Sequence, residues 1–302
     1  MVKLNIISGF LGAGKTTFVN LLLRHYMSKG LKPVYIVNEL GQQVLDAEVI
    51  KANGFTAVEM EGGCVCCSLK EDIKTALDEV IDKFMPDVIV FEPSGVFVFD
   101  NFLDILKNES LAKKCEIGQV FTIVDSVNFV KTEAVYGSFI HNQIKNAQTL
   151  LISKLEKLET TNHDVNDIIC DIRNINDEAL VIAQKWSELD FDKLFTLIED
   201  NPAKFANTVG HHHHVFRTYT GPVERDLTKA DVDHIVQKHK EKYWGDIYRI
   251  KGILKVDGAL TLLNIALEDV EHRPYKGYTE PSMTFIGNSV NEGAIKEFLS
   301  AG

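Results

Sequence analysis

A glycine-rich segment near the start of the chain constrains the fold more than any other feature. Gly9-Phe-Leu-Gly-Ala-Gly-Lys-Thr16 matches the pattern G-x-x-x-x-G-K-[ST]; it follows a strand-like run and opens a helix-like run. Glycines at such a turn let backbone N–H groups converge on phosphate oxygens, and the start of the helix adds partial positive charge. The segment therefore predicts a nucleotide-binding P-loop between a first strand and a first helix.

Phosphate and magnesium chemistry assigns roles to individual residues. Lys15 is expected to reach the β- and γ-phosphates, and the Thr16 hydroxyl to join the Mg²⁺ shell. The apolar run that begins at Asp87 ends in Glu92, which supplies an acid for Mg²⁺, and the Gly95 N–H could contact the γ-phosphate. We expect these four residues to be catalytic. The nucleotide itself is expected to contact the loop and the first helical turn: Gly9, Gly12, Ala13, Gly14, Lys15, Thr16 and Thr17.

The base is expected to be selected at the end of a later strand. Ser153-Lys-Leu-Glu156 follows the run Thr149–Ile152, at the place where GTP-binding proteins carry [NT]-K-x-D. The Asp of that motif accepts hydrogen bonds from N1–H and the 2-amino group of guanine. Glu156 offers the same two acceptor oxygens on a side chain one methylene longer. We therefore expect guanine, with Ser153, Lys154 and Glu156 at the base, while the choice between GTP and ATP stays open.

Short β-rich runs alternate with amphipathic stretches over residues 1–200. This pattern predicts an α/β P-loop domain, a mainly parallel sheet flanked by helices. Residues 201–214 lack periodicity and predict a linker, and residues 215–302 predict a small α+β domain in which Leu260–Leu267 is ambiguous between strand and helix. The predicted helices are Lys15–Ser28, Leu69–Phe84, Val98–Lys107, Phe139–Asn146, Asp164–Arg173, Phe191–Ile198, Lys229–His239 and Glu292–Leu299. The other predicted strands are Lys3–Ser8, Pro33–Asn38, Ala57–Met60, Asp87–Phe91, Gln119–Val124, Thr149–Ile152, Leu180–Ala183, Val215–Tyr219, Ile247–Val256 and Ser282–Ile286.

Three of the five cysteines are crowded into Gly62-Gly-Cys-Val-Cys-Cys67. Thiolates at Cys64, Cys66 and Cys67 suit Zn²⁺, Co²⁺ or Cu⁺ and do not suit Mg²⁺. In a reducing compartment such a cluster indicates metal binding or redox chemistry, and the alternative is a group of buried free cysteines. Cys115 and Cys170 fall on predicted sheet or helix positions and are expected in the core.

Together these features resemble the CobW-type metallochaperone GTPases, in the class that includes the hydrogenase and urease nickel-insertion GTPases. The resemblance implies slow GTP hydrolysis coupled to delivery of a transition metal, zinc or cobalt, to a client protein. It makes Glu39 a ligand candidate for Mg²⁺ or the transition metal. His211, His212, His213 and His214 form a second metal candidate, because family members often carry histidines near the linker. The matching segments are Ile7–Thr17, Val37–Gly41, Gly62–Cys67, Glu92–Gly95, Arg249–Gly252 and Phe285–Gly287.

Composition excludes some functions and leaves others open. A net charge of −11 without a basic patch argues against nucleic-acid binding, and no apolar run reaches 18 residues, the length of a membrane span. The first residues lack a signal-peptide pattern, so a cytoplasmic location is expected. Two other functions stay open: a metal-storing or metal-sensing protein, and an ATP-dependent activator of a corrinoid or cobalt enzyme. The metal, the client and the oligomeric state, including a homodimer, also stay open.

Overall fold

The structure, a computed structural model, describes two compact units. The first lies within residues 1–202 and the second within residues 217–300. The helix predicted at Val98–Lys107 lies wholly outside the residues that the structure describes, and the predicted linker, residues 201–214, lies almost entirely outside them. The domain bounds stay a prediction. The described residues are 1–38, 50–51, 53–59, 69–93, 109–159, 164–202, 217–266, 269–275, 280–287 and 289–300.

Seven parallel strands form one sheet in the described part of the first unit, in the order β3-β2-β4-β1-β5-β6-β7. The strands are β1 (Val2–Gly9), β2 (Pro33–Val37), β3 (Thr56–Glu59), β4 (Val88–Glu92), β5 (Cys115–Asp125), β6 (Thr149–Ser153) and β7 (Leu180–Ile182). The described helices are α1 (Lys15–Ser28), α2 (Leu69–Phe84), α3 (Glu109–Ala112), α4 (Phe129–Lys145), α5 (Leu155–Leu158), α6 (Val165–Ile175) and α7 (Phe191–Asp200).

Strands β2, β4 and β6 are buried along their whole length, as expected where helices cover both faces of a parallel sheet. Because successive residues of a strand point to opposite faces, each of these strands contributes side chains to two hydrophobic cores, one on each face of the sheet. In β2, Tyr35 and Val37 pack with Phe18 of α1, whereas Val34 and Ile36 belong to the core that contains Leu77 of α2. The polar groups at the carboxyl ends of the strands therefore meet at one edge of a rigid sheet.

Helix α4 departs from its prediction. The periodicity predicts a helix over Phe139–Asn146, but α4 begins at Phe129, and its backbone leaves helical geometry at Tyr136 (φ −124°, ψ 23°). Gly137 follows this bend, and glycine is a poor helix former. The sequence alone therefore does not predict a helix in the residues before Gly137. Helices α1 and α2 have the predicted bounds.

The described part of the second unit is a five-stranded antiparallel sheet, ordered β11-β10-β9-β12-β8. The described part of the ambiguous run Leu260–Leu267 lies in strand β10 (Ala259–Ala266). The unpredicted edge strand β11 (Asp269–Pro274) is rich in charged residues, a usual protection for an exposed edge. Two helices pack on the apolar face that contains Trp244 and Phe285. The elements are β8 (Arg217–Pro222), α8 (Lys229–Lys240), β9 (Ile247–Val256), β10 (Ala259–Ala266), β11 (Asp269–Pro274), β12 (Ser282–Gly287) and α9 (Glu292–Ser300).

The predicted fold class is confirmed by this architecture. A parallel sheet flanked by helices carries the predicted P-loop, and a separate sheet domain follows it. None of the helices among the described residues is long and apolar enough to cross a bilayer.

Candidate functional site

The predicted P-loop joins β1 to α1, and its glycines determine its curvature. Gly9, Gly12 and Gly14 have φ values of +141°, +75° and +100°, which residues with a side chain rarely adopt. Gly14 occupies the N-cap of α1, where it has no side chain to accept from the first N–H groups, and the first turn carries no acid. The first turn of α1 therefore carries no carboxylate that would neutralise the positive end of the helix, an arrangement that suits an external anion.

Lys15 lies beside Glu92. Its Nζ atom donates to the Phe10 carbonyl oxygen at 3.3 Å and lies 3.8 Å from Glu92 Oε1. Both side chains are buried, with 7% and 6% of their surface exposed. A buried charge needs a partner of opposite sign, and each of these side chains offers one to the other at the edge of the sheet.

Glu92 has a further partner that sequence reasoning missed. The Tyr35 hydroxyl donates to Glu92 Oε2 at 2.7 Å, and the backbone N–H of Asn38 donates to the Glu92 carbonyl oxygen at 2.9 Å. Tyr35 lies in β2, for which the sequence predicts only an apolar strand. A tyrosine in an otherwise aliphatic buried strand is a signal that could have identified it, because a buried hydroxyl usually finds a hydrogen-bond partner.

The segment predicted to select the base is attached to the P-loop. Ser153 Oγ lies 2.7 Å from the Ala13 carbonyl oxygen, and Lys154 Nζ contacts Asp125 Oδ2 at 2.7 Å. Lys154 has a left-handed backbone (φ 59°, ψ 28°), which is uncommon for a residue with a side chain and typical of functional turns. Glu156, by contrast, is exposed to solvent in the first turn of α5. The structure thus brings Ser153 to the loop, pairs Lys154 with Asp125 at the end of β5 and leaves Glu156 exposed.

Trp186 also borders the P-loop and was not predicted. It begins a short 3-10 turn after β7, its ring packs against Phe18 at a centroid distance of 5.6 Å, and Nε1 would lie 3.9 Å from a methyl group placed on Gly14. The side of Gly14 on which a Cβ atom would lie is thereby flanked by Trp186 and Ser153. An aromatic residue four positions after the end of the last strand of a parallel sheet is the sequence signal for such a position.

The oxygen donors at this edge suit Mg²⁺. Thr16 is half-buried at the start of α1, Thr17 is exposed, and Glu92 presents Oε1 toward Lys15. A hydroxyl and a carboxylate are hard oxygen ligands of the kind that Mg²⁺ combines with substrate phosphates. When bound, the ion would neutralise charge on the phosphates, and Thr16 and Glu92 are the residues placed to hold it.

Several predicted ligands fall on parts of the chain that the structure does not describe. Among the residues that it does describe, no group of three or more His, Cys, Asp or Glu side chains could hold a metal ion. The expectation that Cys115 and Cys170 are both in the core is half wrong: Cys115 is buried, whereas Cys170 lies on the exposed side of α6. The predicted site residues outside the described ranges are Glu39, Cys64, Cys66, Cys67, Gly95, His211, His212, His213 and His214.

Comparison with known families identifies this arrangement. Residues 3–183 match the model of the CobW/HypB/UreG nucleotide-binding domain, and residues 216–302 match the cobalamin synthesis protein cobW C-terminal domain. The chain belongs to the CobW family. The resemblance read from the sequence is confirmed, and the first domain of this CobW-family chain is a nucleotide-binding domain.

Two curated relatives and one solved structure illustrate the family. The chain is 21% identical to the zinc-regulated GTPase metalloprotein activator 1 of Dictyostelium discoideum, over 99% of this chain and 79% of that protein. It is 30% identical to the zinc chaperone CobW of a Sinorhizobium species, over 41% of this chain but only 37% of that protein. HypB from Helicobacter pylori in complex with nickel aligns with 69% of this chain and 92% of its own, with 17% identity and a TM-score of 0.50. The likeness to HypB shows a shared fold.

Proposed function

We propose that this chain is a GTP-binding and GTP-hydrolysing metallochaperone that carries zinc, or alternatively cobalt, to a client protein. The observation that carries the proposal is the buried Lys15–Glu92 pair beside the P-loop, in a chain of the CobW family. The names of its relatives, a zinc chaperone and a zinc-regulated GTPase metalloprotein activator, agree with the function predicted from the sequence. Zinc is therefore the first cargo to test.

The chain's own residues have the following parts in nucleotide binding. Lys15 exchanges the Phe10 carbonyl for oxygens of the β- and γ-phosphates, and the N–H groups of the loop and of the first turn of α1 donate to the same anion. Thr16 and Glu92 would hold the Mg²⁺ that accompanies GTP, and the ion would neutralise charge on the phosphates. In this proposal the Gly95 N–H contacts the γ-phosphate, water attacks the γ-phosphorus, and inorganic phosphate leaves while GDP stays bound.

Guanine remains the proposed base. The Ser153 hydroxyl holds the segment Ser153–Glu156 against the Ala13 carbonyl. Lys154, whose Nζ atom contacts Asp125, offers its aliphatic stem beside the guanine ring. Glu156 supplies the two acceptors that guanine requires and adenine does not use. Glu156 is exposed and therefore accessible to a bound base.

The cargo metal is assigned to Cys64, Cys66 and Cys67, with Glu39 as a further ligand. Three thiolates and a carboxylate form a donor set typical of zinc, and cobalt accepts the same ligands. If GTP tightens metal binding, the metal must tighten GTP binding by the same factor. Loss of the γ-phosphate then releases the metal to a client, in the cytoplasm.

Metal titration in defined nucleotide states tests the proposal. Zn²⁺ and Co²⁺ are titrated into the chain without nucleotide, with GDP and with a non-hydrolysable GTP analogue, and GTP hydrolysis is measured for the wild type and Lys15→Ala. We expect hydrolysis to require Lys15 and metal affinity to differ at least about tenfold between GDP and GTP states, or about 1.4 kcal/mol. Cys66→Ser/Cys67→Ser should abolish that difference.

Three results would contradict the proposal. Equal metal affinity in all nucleotide states would favour a storage or sensor protein, in which nucleotide only stabilises the fold. Tighter binding of ATP than of GTP in competition would favour an ATP-dependent activator and would remove the role given to Glu156. Unchanged metal affinity in the double cysteine variant would exclude the cysteines as ligands.

A further inference from the structure

The register of the sheet places Tyr35 and Glu92 on one face, two residues apart along the strands. Tyr35 pairs with Val90 and Val37 pairs with Glu92, so Tyr35 and the Glu92 side chain share the α1 face. Two residues of strand span about 6.6 Å, a distance that the long phenol side chain bridges and an aliphatic side chain does not. Tyr35 thus reaches from the interior of the sheet to the acid at its edge.

The hydrogen bond fixes the direction of the carboxylate. Glu92 Oε2 accepts from the Tyr35 hydroxyl at 2.7 Å, and the other oxygen, Oε1, is the one that lies 3.8 Å from Lys15 Nζ. Tyr35 has no exposed surface and packs in the core with residues of α1, so its ring has little freedom to move. A rigid donor on one oxygen removes the rotation that would turn the other away from the P-loop.

We propose that Tyr35 is a positioning residue for Glu92, whose hydroxyl holds Oε2 so that Oε1 is presented to the Mg²⁺-bearing side of the P-loop. The inference rests on the proposed nucleotide function and deepens it. Tyr35 touches neither phosphate nor metal, so its removal should weaken the effect of Mg²⁺ on nucleotide binding and leave metal-free nucleotide binding unchanged. A merely structural tyrosine would alter both together.

The dissociation rate of a fluorescent GDP, N-methylanthraniloyl-GDP, tests this without reference to hydrolysis. The rate is measured in excess Mg²⁺ and in EDTA, and the ratio of the EDTA rate to the Mg²⁺ rate reports how strongly Mg²⁺ holds the nucleotide. We expect Tyr35→Phe to lower this ratio about tenfold, as for a lost hydrogen bond to a charged group, with the EDTA rate unchanged. Glu92→Gln sets the lowest ratio that loss of the carboxylate can produce. Combining Tyr35→Phe with Glu92→Gln should lower the ratio no further.

Tyr26→Phe is the matched control. Its hydroxyl is also buried, and it accepts from Asn5 Nδ2 at 2.7 Å on α1, away from Glu92. This variant also loses a buried hydrogen bond, yet its Mg²⁺ ratio should equal that of the wild type. Thermal unfolding of both variants shows whether each keeps its fold.

Each outcome decides a specific point. An unchanged ratio in Tyr35→Phe, or an equal fall in Tyr26→Phe, would overturn the positioning role while leaving nucleotide binding intact. If the wild type binds neither the GDP probe nor its ADP counterpart, the proposed nucleotide function itself fails. If only the ADP probe binds, the same ratio is measured with it, and the positioning role is judged on that ratio.

Discussion

Gly9 closes the end of β1 against the neighbouring strand β5, and replacing it with alanine should be costly. A Cβ atom on Gly9 would lie 2.6 Å from the Ile123 carbonyl oxygen and 3.2 Å from the Ile123 Cβ. The oxygen belongs to the paired backbone of β5 and cannot turn away as a flexible side chain would. Gly9→Ala therefore forces two central strands apart at the point where the P-loop begins.

The magnitude follows from two contributions. Overpacking of a rigid core costs about 1–3 kcal/mol, and a φ of +141° lies outside the regions open to L-residues, which adds strain of about 1–3 kcal/mol. The loss of flexibility in the unfolded chain offsets about 0.4–1 kcal/mol of this. We expect Gly9→Ala to lower the free energy of unfolding by about 3 kcal/mol.

Gly30→Ala separates the two contributions. Gly30 has a φ of +75°, but a Cβ there would meet nothing within 4 Å, so only backbone strain of about 1 kcal/mol is expected. Both variants are unfolded in urea and followed by Trp186 fluorescence in a Trp244→Phe background, since these are the two tryptophans of the chain. If the free energies of unfolding of the two variants differ by less than about 0.5 kcal/mol, the usual effect of a surface change, the close packing of Gly9 against Ile123 is refuted as a source of instability.

Three further predictions concern contacts around the site. Ser153→Ala removes the donor to the Ala13 carbonyl and should cost about 1 kcal/mol of stability and speed GDP release; unchanged release would show that this bond does not brace the loop. Asp125→Ala removes the carboxylate that contacts Lys154 Nζ and should weaken GDP binding about tenfold in calorimetry, whereas equal affinity would exclude the pair from the base subsite. Burial raises the pKa of the Cys115 thiol from 9.0 to about 11, so iodoacetamide at pH 8 should label exposed Cys170 and spare Cys115 in peptide mass spectrometry. Equal labelling of both cysteines would contradict the burial of Cys115. Because folding favours the neutral thiol, the stability that Cys115 contributes should be complete below pH 9 and lost as the pH rises to about 11.

The sequence by itself determined the features that depend on neighbouring residues. The bounds of α1, the P-loop before it and the acid at the end of β4 follow from local patterns, because glycines, a helix start and an apolar run act over a few positions. The same reasoning was ambiguous for β10, lost the first half of α4 at Gly137 and missed β11. In each of those cases the periodicity was interrupted or weak, and packing decided the element.

Only the tertiary structure decided which side chains complete the site. Tyr35 and Glu92 are separated by 57 positions, and Ser153 and Ala13 by 140, so no local pattern relates either pair. Their meeting depends on the strand order, which places β2 beside β4 and brings the ends of β1 and β6 to one edge of the sheet. Local sequence sets the chemistry that each strand can offer, but the register and order of parallel strands decide which groups come within hydrogen-bonding distance.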